Sequence, residues 1–123
     1  MRLYLILMMI CSVQLMNAQL RMKYQDNETY TYKETTEAYE MLNAAHPKTT
    51  KLEVVGSSDV GQPIYLFTIS LDGDFDPASI KKKGKTVLLV NNAIHPGEPC
   101  GVDASVKFAQ DLLNIKKYKK SLK

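Results

Sequence analysis

Residues 86–90, Thr-Val-Leu-Leu-Val, are the stretch that most narrows the folds open to this chain, because their apolar side chains run on without alternation. A strand with one wet face alternates apolar and polar residues, whereas a continuous run fits a strand covered on both faces. It predicts a central strand with helices packed on the sheet, hence an α/β fold with a mixed β-sheet and flanking helices. The run stops at Asn91-Asn92, and a turn rich in proline and glycine follows, Ala93-Ile94-His95-Pro96-Gly97-Glu98-Pro99. Beyond Pro99, residues Val102, Ser105, Val106, Ala109, Leu112 and Leu113 mark one face of a helix, with Asp103 in its first turn, where a negative charge suits the helix dipole. The turn therefore lies at the C-terminal end of a buried strand, the place where ligand sites gather in open α/β sheets.

Upstream elements support the same class. Thr31-Tyr32-Lys33-Glu34 has capping-box spacing, and Ala38, Met41, Leu42 and Ala45 follow at helical intervals until His46-Pro47, which predicts a first helix over 33–45. Leu52 to Val55 and Ile64 to Ile69 read as strands of a long-looped hairpin around the turn formers Gly56 to Pro63. Leu71 to Lys85 is polar and aperiodic, and reads as a surface connection.

The N-terminus has a different character. Met1-Arg2 precedes an eleven-residue apolar run, Leu3 to Val13, too short to span a bilayer and suited to a signal peptide over residues 1–18, cleaved near Ala18. The expectation is an exported protein, periplasmic or secreted, with no stable membrane anchor. Residues 19–123 then suffice for one core, and Cys100 remains as the one cysteine, unable to form an internal disulfide. Stability must come from packing or a metal. The net charge of +3 resides in Lys81, Lys82, Lys83 and Lys85 and in a tail from Lys116 to Lys123. A nucleic-acid groove needs aromatic or arginine residues interleaved on one face, and no arginine follows Arg21, so these lysines read as solvated surface and no nucleic-acid partner is expected.

The chemistry of the turn centres on His95 and Glu98. A neutral imidazole and a carboxylate are both zinc ligands, and a tight turn can bring residues three apart to one point. Pro96 and Gly97 would bend the backbone sharply and leave room for a metal or substrate.

The helix ending in His46-Pro47, the strand-loop-strand 51–70 with its Gly61-Gln62-Pro63-Ile64-Tyr65, and the strand-turn-helix 85–113 together resemble the zinc metallocarboxypeptidases of the carboxypeptidase A type. The resemblance covers about Tyr30 to Leu113. It implies that His95 and Glu98 are the first two zinc ligands, that Zn2+ is the cofactor, and that the substrate is the C-terminus of a peptide or protein. It also implies a third histidine ligand, a general-base glutamate and carboxylate-binding arginines well downstream. The chain has two histidines, and none follows His95. The expectation is a truncated, N-terminal part of a carboxypeptidase-like catalytic domain over residues 19–123, with no catalytic residue of its own and little or no peptidase activity.

Other residues carry less. His46 reads as a helix terminus rather than a ligand. Cys100 reads as packed in the helix, not as a ligand or nucleophile. Asn91 and Asn92 read as satisfying backbone groups near the turn, and Tyr30, Tyr32, Tyr39 and Tyr65 as packing. Asn27-Glu28-Thr29 fits a glycosylation sequon. Two rival functions stand beside the carboxypeptidase: a zinc amidase or deacylase of related fold, and a non-enzymatic exported module in which the turn binds nothing.

Overall fold

A computed structural model gives the structure of residues 20–95 and 97–121. The expected signal peptide and Pro96 lie outside the described residues. The chain enters through a single 3-10 turn, Lys23–Asp26, which Asn27 closes in the left-handed region at φ 57°. Helix α1, Tyr32–Ala45, follows. Its start is the capping box expected from the sequence: the Glu34 amide donates to Thr31 Oγ1 at 3.3 Å, and the Thr31 amide donates to Glu34 Oε2 at 2.9 Å. Lys23 adds a 2.7 Å ion pair to the other Glu34 oxygen. Held by Lys23 first and by the Thr31 amide and hydroxyl next, the Glu34 carboxyl titrates at about 2.

Strands β1, Thr50–Ser57, and β2, Pro63–Ile69, form the expected antiparallel hairpin, with Thr50 opposite Ile69 and Ser57 opposite Pro63. The register slips between Val54 and Gly56, so Val55 forms a bulge, a device that bends and twists a strand. Helix α2, Pro77–Lys82, lies in the stretch read as a plain surface connection. Its signal was local and short: Asp76 accepts from the Ala78 and Ser79 amides at 3.2 Å each, and Pro77 opens the first turn. Lys83 and Lys85 pair with Asp72 and Asp74 beside it, which draws Asp74 down to about 2, with Lys83 the largest cause and Ser79 the next.

Helix α3, Pro99–Asn114, is the predicted second long helix, and a short helix α4, Lys116–Ser121, follows it. The core sits where α3 crosses α1. Val106 packs with Ala38 and Met22, and Leu113 and Ala109 pack with Leu42, flanked by Phe67 and Ile69 of β2. Full burial of a side chain such as Leu113 stabilises by about 1.5–3 kcal/mol. Tyr39 stands against Phe67 with ring centroids 4.8 Å apart, fixing α1 on the sheet.

Two polar side chains complete this core. Asp103 is the fifth residue of α3, beyond the first turn in which it was expected, and it accepts from the Tyr30 amide at 3.0 Å. Gln110, 2% exposed, accepts from the Leu20 amide at 2.6 Å and donates to the Leu20 carbonyl at 3.4 Å. Both stitch the entering segment to α3.

The central strand is the main correction. Residues 86–90 pair with no strand among the described residues, and the sheet there has two antiparallel strands rather than a mixed set. Val87, Leu88 and Leu89 are 74, 75 and 76% exposed. Burial on both faces requires neighbouring strands at both edges and layers above and below. Among the described residues β1 and β2 pair with each other, and no strand is paired along residues 86–90. The segment instead lines an apolar cleft of about 900 Å³ together with Phe67 of β2 and Phe108 and Leu112 of α3.

Candidate metal centre

Two features shape the backbone between residue 90 and α3. Ala93 adopts φ 53° and Gly97 φ 79°. Glycine takes the left-handed region freely, whereas alanine pays about 1 kcal/mol for its Cβ there. Within this stretch two side chains three residues apart face one another. His95 Nδ1 lies 3.2 Å from Glu98 Oε1 and 3.3 Å from Oε2. Both side chains are open to solvent, at 68% and 53% exposure.

Glu98 is the N-cap of α3, yet its side chain makes no capping hydrogen bond and turns to the imidazole instead. The carboxylate thus sits where the positive end of the helix dipole favours its charge. Pro99 occupies the first helical position, where its missing N–H costs nothing.

The flank of the turn is tied down by Asn92. Its Nδ2 donates to Ser105 Oγ at 2.5 Å, reaching across to the second turn of α3. Its Oδ1 comes so close to Gly101 that a Cβ there would stand 2.8 Å from it. Asn92 was expected to serve backbone groups; it serves a side chain. Ser105, read from the sequence as one more residue of the packing face, is that partner. The trace this arrangement leaves in the sequence is a glycine as the third residue of a helix, a costly choice unless something must approach closely.

The remaining candidates stand apart from the pair. His46 caps α1: its amide donates to the Leu42 carbonyl at 3.0 Å, and its carbonyl accepts from the Thr49 and Thr50 amides at 3.0 Å each. Cys100 is exposed rather than packed, because the core stripe of α3 begins only at Asp103. Tyr39 is a packing residue as expected, while Tyr32 also donates to the Pro63 carbonyl at 2.7 Å. Among the described residues no three His, Cys, Asp or Glu side chains converge on one point.

An imidazole nitrogen and a carboxylate aimed at one another on an open surface form a donor pair suited to a borderline-soft divalent metal such as zinc. The pair fits two positions of a catalytic zinc site, which takes three protein ligands and an open position. Donor pairs of this kind occur in metal-dependent hydrolases. The zinc carboxypeptidase family profile matches residues 35–122, from the first turns of α1 through the hairpin, the His95–Glu98 turn and α3. The chain belongs to the zinc carboxypeptidase family. No curated protein and no solved structure matches it.

Proposed function

We propose that the chain contributes His95 and Glu98 as zinc donors to a metallocarboxypeptidase that removes C-terminal residues from peptides. The observation that carries this reading is the convergence of Nδ1 with both carboxylate oxygens at 3.2 and 3.3 Å, inside the span that matches the family. His95 and Glu98 would hold the zinc, which when bound would supply Lewis-acid chemistry. On the protein side, Nδ1 offers its lone pair only when the imidazole proton resides on Nε2, and Glu98 supplies one compensating negative charge.

Two protein donors hold zinc less firmly than three, so this 123-residue chain should bind zinc weakly and show little or no peptidase activity. Calorimetric zinc titration tests the reading. Wild type should bind, and His95→Ala and Glu98→Ala should each weaken binding by more than tenfold. Equal zinc affinity in wild type and His95→Ala would leave the non-enzymatic module as the better account.

The same reading includes export. Its support is the apolar run Leu3–Val13 behind Met1-Arg2. The mature protein recovered from periplasm or medium should begin at Gln19, and recovery of a cytosolic form retaining residues 1–18 would count against it.

A further inference from the structure

We propose that Asn92 is the positioning residue of the His95–Glu98 turn, acting through Ser105 and through the open backbone at Gly101. The proposal rests on the metal-donor reading of His95 and Glu98, and it adds what holds those two donors in place.

Three observations meet at this point. Asn92 stands three residues before His95 and is tied to the body of α3 by its 2.5 Å bond to Ser105. Glu98 caps the same helix, so both ends of the turn 92–98 are anchored to α3. Between the anchors the chain passes through the left-handed conformations of Ala93 and Gly97, and neither His95 nor Glu98 is buried. Exposed side chains on a bent turn have no packing to hold them, so their mutual placement depends on the ends of the turn. The C-terminal end is fixed by the helix backbone. Among the described residues the N-terminal end is tied by the Asn92 side chain, whose Oδ1 lies 2.8 Å from where a Cβ at position 101 would stand.

A polar partner behind a metal ligand typically contributes a factor of ten to a hundred in metal affinity. Asn92 would act one step further back, by holding the backbone that carries the ligand. A purely structural role for these residues makes a different prediction, and Gly101→Ala separates the two. Alanine is the better helix former, so the substitution should leave α3 as stable or more stable. Its methyl group would nevertheless push the Asn92 amide away from the helix.

The experiment uses the full chain and two readouts. The first needs no metal: nuclear Overhauser contacts between the His95 ring protons and the Glu98 side chain. The second is zinc affinity by calorimetry. Wild type and Ser105→Thr, which keeps the hydroxyl, should show the contacts. Asn92→Ala, Ser105→Ala and Gly101→Ala should lose them, with unchanged circular dichroism and, for Gly101→Ala, an unchanged or raised Tm. The same three variants should bind zinc about tenfold more weakly. His95–Glu98 contacts that persist in Asn92→Ala and Gly101→Ala overturn the proposal. If wild type shows the contacts, the variants lose them, and no protein binds zinc, then the positioning role stands and the metal reading falls.

Discussion

Gln110 shows how much one buried side chain can decide. It lies on the apolar face of α3, between Val106 and Leu113, and holds both backbone groups of Leu20. Replacing it by leucine keeps the volume and leaves the Leu20 amide and carbonyl without this partner. Such a loss costs about 1–3 kcal/mol for a group shielded from water. Gln110→Leu should therefore lower the urea midpoint without changing the m-value, and the Leu20 amide should lose its protection from hydrogen exchange while the α3 amides keep theirs. An unchanged midpoint would show that water replaces the glutamine at no cost. At this scale the sequence was legible where partners are near and opaque where they are far. The His95–Glu98 meeting follows from a spacing of three on a turn, whereas Asn92 finds Ser105 thirteen residues away and Gln110 finds Leu20 ninety residues away. Polar residues on an apolar helical stripe, such as Asp103 and Gln110, are the general signal that a distant backbone group needs a partner.

Among the elements, those built from local interactions were legible in advance. The capping box set the start of α1 to within one residue, and alternation with turn formers set the hairpin. Residues 86–90 were misplaced because pairing is a property of neighbours, which no local pattern supplies. The same capping box makes α1 sensitive to acid. Glu34 has an ordinary carboxyl value of 4.5 when unpaired, and about 2 in the folded chain, chiefly through Lys23. A depressed folded value means that the folded state binds this proton less readily than the unfolded state. The stabilisation is thus complete above about pH 4.5 and is lost as pH falls through about 2. Because Lys23 and Glu34 are accessible to solvent, the effect should be modest and should shrink in 1 M salt, where charges are screened within about 3 Å. Lys23→Met should flatten the fall in urea midpoint between pH 5 and 2.5, and the difference from wild type should narrow at high salt. Parallel pH profiles for the two proteins would mean that Lys23 does not set the Glu34 titration.

The molecule as a whole presents more apolar surface than its core accounts for. Val87, Leu88, Leu89 and Val90 are exposed on a segment that pairs with no strand among the described residues, and Val54, Val55, Ile64 and Leu66 are exposed on the hairpin. Contiguous apolar surface joined to free backbone N–H and C=O groups is the combination that templates association between chains. No described helix is long and apolar enough to cross a membrane, so this surface does not belong to a spanning helix among the described residues. The expected consequence in solution is concentration-dependent self-association through the 86–90 segment. Leu88→Lys tests this at the centre of the run, where a charge opposes strand stacking and the side chain, 75% exposed, has little packing to lose. The substitution should leave the unfolding free energy within about 0.5 kcal/mol of wild type. It should also lower the sedimentation-weighted mass at high protein concentration and reduce the binding of a hydrophobic dye. Should Leu88→Lys instead unfold the chain, residues 86–90 would be packed in solution as the sequence pattern demands, and the two-stranded arrangement would not be the state that predominates there.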